Sequence, residues 1–336
     1  MRLKAAAKIL LAILCVFLSL EATARYYYFG LDGFKYRKMD SFHSLGRSGL
    51  IRLSNDPDIS YELKPNVDTY FRMTRFATNS QGLRDKEYSL SKPPLTFRVA
   101  VIGASFVMGS GVELEDTFHT MLENQFNGER KGRTYEFINL GIGGHSPWNS
   151  LAVLKKRALK YEPDLVIFAT TPNMYESHPR PPLRKIRPVS HPFFDSYFKT
   201  LLQLRIAMWQ NQLKRAKKPA RDAKIKEARK RIDGIFSELK GIEENSGIPV
   251  CVVILEHRKN SLDLLKEIQA AARNRGVRLI DASEPFSRAG FPEYCAHPLD
   301  CHPNAGAHRI FARVIHDYLT ENHLLESGAM RTNHVQ

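Results

Sequence analysis

The sequence predicts an α/β protein, a three-layer α/β/α sandwich built on a five-stranded parallel sheet, and two observations carry that prediction. From Thr96 onward, short apolar runs alternate with helical patterns, which is the signature of successive βαβ units. The apolar runs are long enough and apolar enough to be buried strands, and turn residues close them.

Taken in order, the strands are FRVAVIG, YEFINLG, DLVIFAT, PVCVVILE and VRLIDA. Helical patterns lie between them at Leu114 to Phe126, Ser150 to Lys160 and Leu262 to Asn274, and a last helix follows Asn304. A Pro-rich loop, His178 to Pro192, and a polar helical stretch read as a basic insertion over about 195–245 separate the third strand from the fourth. This domain spans 96–325 and leaves a tail over 326–336. Residues 25–95 are rich in Tyr and Arg, lack a long helical or strand period, and read as an extended or small-β preface closed by Pro93-Pro94.

The first 24 residues carry a basic start, MRLKAAAK, twelve largely apolar residues from Ile9 to Leu20, and small residues at Ala22-Thr23-Ala24. That order reads as an export signal, with an uncleaved membrane anchor as the alternative, and it places the protein in the periplasm or cell envelope. Cys15 follows Leu14, where a lipoprotein signal needs a small residue. Export also makes a disulfide between Cys295 and Cys301 feasible. The rival is a zinc set of Cys295, His297, Cys301 and His302, which would consume the histidine needed below as a base; no metal and no cofactor is expected. Cys251 sits in an apolar run and belongs to the core.

A formal charge of +15 favours anionic partners. The basic residues concentrate in 214–231, without interleaved aromatics or a recognisable nucleic-acid module, so a solvated helix face or an anionic polymer or membrane surface is expected there and nucleic acid is not.

Four motifs carry chemistry. The first strand breaks at Gly103 into a turn that presents Ser105, the exposure a nucleophile needs. After the second strand, Asn139-Leu140-Gly141-Ile142-Gly143-Gly144 lets backbone N–H groups approach developing negative charge. It is not a dinucleotide fingerprint: the third glycine of that pattern would fall at Ser146, and no acid ends the next strand. After the third strand Asn173 offers an amide to the same oxyanion, and near the C-terminus Asp300 stands two residues before His302, ahead of Pro303 and Asn304. An acid that holds one imidazole nitrogen leaves the other free to take the serine proton. His145 in the second motif could touch substrate but reads first as structural or merely exposed, Trp148 and Trp209 read as core or helix-packing residues, and the aromatic run Tyr26 to Phe29 as buried against the domain or continuing an anchor, with sugar stacking the minority alternative.

Gly-x-Ser-x-x-x-Gly, Asn-x-Gly-x-x-Gly, the later Asn and Asp-x-His-Pro-Asn resemble the four blocks of the SGNH (GDSL-like) hydrolase superfamily over about 96–325, and Asn79 to Asp85 resembles a segment that often precedes the first block in exported members. Three departures stand out: Ala104 replaces the Asp of the GDSL motif, Met174 follows Asn173 where Asp is common, and the acid precedes His302 by two positions, not three. The resemblance implies a flavodoxin-like fold, Ser105 as nucleophile, His302 as base and then acid, Asp300 as its orienter, and an oxyanion hole of the Ser105 and Gly144 N–H groups with the Asn173 side chain. It implies an esterase acting on an acylated carbohydrate or lipid, O-acetyl esters first. An O-acetyltransferase of envelope or exopolysaccharide and a non-catalytic envelope binding protein are the alternatives.

Overall fold

The structure is a computed structural model that describes residues 2–130, 132–176, 183, 185–214, 221–259, 264–290 and 293–326. The chain begins with a long helix, α1 (Arg2–Phe29), and a short one, α2 (Tyr36–Asp40). Two antiparallel hairpins follow, β1 (Ile51–Leu53) with β2 (Tyr61–Leu63), and β3 (Asp68–Phe71) with β4 (Thr74–Ala77). The preface is thus small-β downstream of a helix that runs without a break through Ala22-Thr23-Ala24.

The domain proper starts at β5 (Thr96–Ile102) and continues through α3 (Ser105–Met108), α4 (Phe118–Glu129), β6 (Thr134–Asn139), α5 (Pro147–Lys156), β7 (Leu165–Thr170), α6 (Tyr197–Lys214), α7 (Arg221–Ser246), β8 (Val250–Ile254), α8 (Leu265–Arg275) and β9 (Arg278–Asp281). It closes with α9 (Glu284–Arg288), β10 (Cys295–His297), β11 (Asp300–Pro303) and α10 (Ala305–Glu321). Strands β5 to β9 form one five-stranded sheet in the order β6-β5-β7-β8-β9, all parallel.

Alternate side chains of a strand point to opposite faces, and here both faces are apolar. Ala100, Ile102, Val166, Phe168, Val250 and Val252 pack with α5, α7 and α8, whereas Val99, Val101, Leu165, Ile167, Cys251 and Val253 pack with α4 and α10. The three layers are those the sequence predicts, and Cys251 is a core residue.

The stretch about 195–245, expected as an inserted basic helix, divides. The middle of α7 buries Ala228, Ile232, Ile235, Phe236 and Leu239, and the helix is the crossover that returns the chain from β7 to β8. Its apolar residues are spaced to fall on one helical stripe, and the Lys and Arg between them occupy the outer face. The basic stretch 214–231 and the Pro-rich loop lie in part outside the described residues, and the tail from 327 lies wholly outside them.

Candidate active site

All five predicted site residues, Ser105, Gly144, Asn173, Asp300 and His302, line one cavity of about 680 Å³ beyond the carboxyl ends of the sheet strands. Ser105 opens α3 directly after β5. The turn is tight because Gly103 lies against Val107 and the Ala169 carbonyl, where an added Cβ would sit 2.6 and 2.7 Å away. Gly109 then ends α3 in the left-handed region at φ 78°.

The segment Asn79 to Asp85 holds this turn in place. The Asn79 side chain accepts from the Gln81 and Leu83 N–H groups and folds the segment back on itself. The Arg84 guanidinium is fully buried and donates to the carbonyls of Met108, Gly109, Val112 and Arg75, so it clamps the end of the Ser105 turn. Burial without a carboxylate partner pulls its pKa down to about 10, still well above neutrality. Asp85 accepts from the Asn139 N–H at the end of β6; burial pushes its carboxyl up to about 7.

The second motif is shaped by its own asparagine. The Asn139 side chain accepts from Gly141 N and donates to Arg84 O. Gly144 adopts φ 81°, and an added Cβ would meet the Tyr61 hydroxyl at 2.8 Å, so no larger residue fits. That hydroxyl donates to Gly143 O at 2.8 Å, and the Tyr61 carbonyl pairs with His145 Nε2 at 3.1 Å. His145 is buried beside the cavity, and burial lowers its pKa to about 4. Ser146 then caps α5 in a capping box with Asn149.

Asn173 is solvent-exposed in a turn after β7. Its Oδ1 accepts from the Thr171 hydroxyl at 2.5 Å, which turns the NH2 side of the amide outward as a donor.

Asp300 and His302 come from a hairpin that the sequence does not announce, β10 with β11. His302 Nδ1 donates to Asp300 Oδ1 at 2.5 Å; because the carboxylate can only accept, Nδ1 carries the proton and Nε2 is left as the basic nitrogen. The other carboxylate oxygen, Oδ2, is held by Arg72 at 2.8 Å. Burial raises the Asp300 pKa, but the His302 hydrogen bond and charge and the Arg72 charge outweigh it and hold the carboxyl below its usual value. Cys295 and Cys301 are joined in a disulfide across the same hairpin, which occupies both sulfurs and removes them from any zinc set.

Sequence reasoning missed five residues around the cavity. Arg72 sits at the tip of the β3–β4 hairpin, far away in sequence. Phe106 places its ring 5.8 Å from His302 and 5.6 Å from His257. Glu256, His257 and Arg258 follow β8 at the ligand edge of the sheet, where Glu256 is fully buried and takes Arg258 Nε at 2.9 Å. Charged residues directly after a buried strand were the legible signal for the last group; Arg72 offers none locally.

The fold thus gathers a serine turn, a glycine-lined loop and an Asp–His pair at the carboxyl edge of the sheet of an α/β/α sandwich. No family model and no curated protein matches this sequence. Among solved structures it is similar to a two-domain esterase active on acetylated mannans, co-crystallized with mannopentaose (18% identity, TM-score 0.43, 67% of this chain and 49% of that one). It is also similar to the lipase/acylhydrolase from Enterococcus faecalis (13% identity, TM-score 0.42, 67% of this chain and 96% of that one). An α/β hydrolase enzyme from the metagenome of Lake Arreo, Spain, is a third (13% identity, TM-score 0.42, 69% of this chain and 97% of that one). These are likenesses of fold, and this chain spans about half the length of the two-domain esterase.

Proposed function

We propose that this protein is a serine ester hydrolase of the SGNH kind that works through an acyl-enzyme. The observation that carries the reading is the convergence of Ser105, Gly144, Asn173 and the Asp300–His302 pair on one cavity. Ser105 Oγ attacks the ester carbonyl carbon while His302 Nε2 accepts the hydroxyl proton. The tetrahedral oxyanion is met by the Ser105 and Gly144 N–H groups and the Asn173 amide. The C–O bond then breaks and His302 returns the proton to the leaving alcohol. Water enters by the reverse sequence and releases the acid and Ser105. Asp300 keeps its charge throughout and holds the imidazole in the tautomer that leaves Nε2 basic.

The substrate class is an acylated carbohydrate or lipid, O-acetyl esters first, met on the outer side of the membrane. The test is the reaction of the purified protein and of Ser105→Ala with p-nitrophenyl acetate and with a fluorophosphonate, the adduct being located by mass spectrometry. A label on Ser105 and turnover that the alanine variant lacks are expected. Equal rates for the two proteins, or a label elsewhere, would overturn the assignment.

A further inference from the structure

We propose that α1 is not removed on export but is retained as a bilayer-spanning anchor whose outer end is built into the catalytic domain. The partner of its apolar surface is the hydrocarbon of a lipid bilayer. Ile9, Leu10, Leu11, Ile13, Leu14, Val16, Phe17, Leu18 and Leu20 are all exposed, and the described helix is long and apolar enough to cross a membrane. At 1.5 Å per residue the stretch from Ala5 to Leu20, ahead of the docked Glu21, is about 24 Å long, most of the thickness of a hydrocarbon core. Lys8 lies one turn from its inner end, within reach of the headgroups. Arg2, Lys4 and Lys8 fix the N-terminus on the inner side. Beyond the outer end come exposed aromatic rings, Tyr26 and Tyr27 on α1 with Phe34, Tyr36 and Phe194 nearby in the fold, the residue type that settles at a membrane interface.

A cleavable signal would have the same apolar core, so the decisive contacts lie at the cleavage position. The Glu21 carboxylate accepts from Tyr197 N at 3.0 Å, Phe198 N at 3.1 Å and Ser196 Oγ at 2.8 Å, which caps the first turn of α6, and it pairs with Arg25 at 2.9 Å. Arg25 in turn donates to the Phe193 and Asp195 carbonyls, with its guanidinium over the rings of Phe193 and Tyr197. Ala24 is buried. The bond that a peptidase would cut after Ala24 is therefore helical and packed, and its loss would strip α6 of its cap.

The same helix end reaches the candidate active site. His297 Nδ1 accepts from Leu299 N at 3.1 Å, so Nε2 carries the proton and donates to the Tyr28 carbonyl at 2.7 Å. The His297 ring stacks on Phe29 at 4.5 Å. His297 is the register partner of Asp300 in the β10–β11 hairpin, so the anchor holds the strand opposite the acid. This last link rests on the hydrolase reading; retention does not.

The test is the full chain expressed in a bacterium, its membranes washed with alkaline carbonate, and the mass of the tightly bound and soluble forms measured. An uncut chain of 38.4 kDa in the carbonate-resistant fraction is expected. A soluble form that begins at Arg25 would overturn the proposal, whatever Ser105 does with a fluorophosphonate; absence of Ser105 labelling in an uncut, membrane-held protein would instead sink only the hydrolase reading. Glu21→Ala in the detergent-solubilised full chain should lower the thermal midpoint by about 2–4 °C through the lost cap. An unchanged midpoint would show that the docking contributes nothing.

Discussion

Replacing Arg72 by Met removes the only cation paired with Asp300 Oδ2 among the described residues, while leaving an apolar stem of similar length. The two groups meet at 2.8 Å with side chains 18% and 8% exposed. At an effective dielectric of about 20, that separation corresponds to an attraction of about 6 kcal/mol. Much of this is offset by the desolvation of the guanidinium, and His302 continues to hold Oδ1, so a net loss on the order of 2 kcal/mol is expected. If the loss falls on the orientation of Asp300, turnover drops about 30-fold with little change in KM. The pH profile separates positioning from plain destabilisation. Arg72 helps to hold the Asp300 carboxyl below its usual value, so its removal raises that pKa, and the acid limb of kcat/KM moves to higher pH. Arg72→Lys keeps the charge and loses the planar fork; it should recover the acid limb but only part of the rate. The assay is p-nitrophenyl acetate hydrolysis over pH 4 to 8, with a thermal melt of each variant. Wild-type kcat and an unmoved acid limb in Arg72→Met would refute the reasoning.

Further predictions concern the rest of the site and the core. Asn173→Ala should cost about 100- to 1000-fold in kcat with the fold intact, and a loss of less than about threefold in single-turnover acylation would remove Asn173 from the oxyanion hole. Reduction of Cys295–Cys301 should lower turnover without global unfolding, because a loop with a separation of six residues is worth only ~2 kcal/mol; activity that survives complete reduction, verified by thiol alkylation, would show that the hairpin holds without it. Burial lowers the pKa of His145 and His257 to about 4 and of His119 and His308 to about 3. Their folded values lie below the unfolded value of about 6.5, so the unfolded chain takes up protons first and stability falls as pH drops from about 6.5 toward 4. The thermal midpoint should therefore decline through that window, and a flat midpoint between pH 7 and 5 would contradict it.

Much of the site is legible in the sequence because each of the first three blocks lies where a buried strand ends, and strand ends in a parallel sheet share one edge. Ser105, Gly144 and Asn173 could be placed by that rule alone. The β10–β11 hairpin was not visible, since Cys295 to Pro303 has no strand alternation and is held by a disulfide and a short irregular ladder. Arg72 was not visible because its meeting with Asp300 depends on how the preface lies across the domain. The middle of α7 was hidden by the charge ahead of it: Ala228, Ile232, Ile235, Phe236 and Leu239 form a regular stripe, but the basic run over 214–231 made the segment read as solvated. The helix start was read for its composition, and composition does not report that Glu21 and Ala24 dock onto α6.

The clamp made by Arg84 has a consequence for how the chain acquires its shape. The Ser105 turn is fixed by a guanidinium from the preface, and the glycine loop by Tyr61 and Asp85, so neither wall of the cavity is finished until residues upstream of β5 have been laid down. A piece that begins at Thr96 would hold every block of the hydrolase resemblance and still lack the scaffold that shapes two of them. Its carbonyls at Met108, Gly109 and Val112 would turn to water, and Ser105 would sit on a loosened loop. The smallest piece that holds the cavity complete must therefore begin upstream of Tyr61. In synthesis from the N-terminus the preface emerges first and waits for β5 and β6, which makes it a template for the site and not an appendage to it.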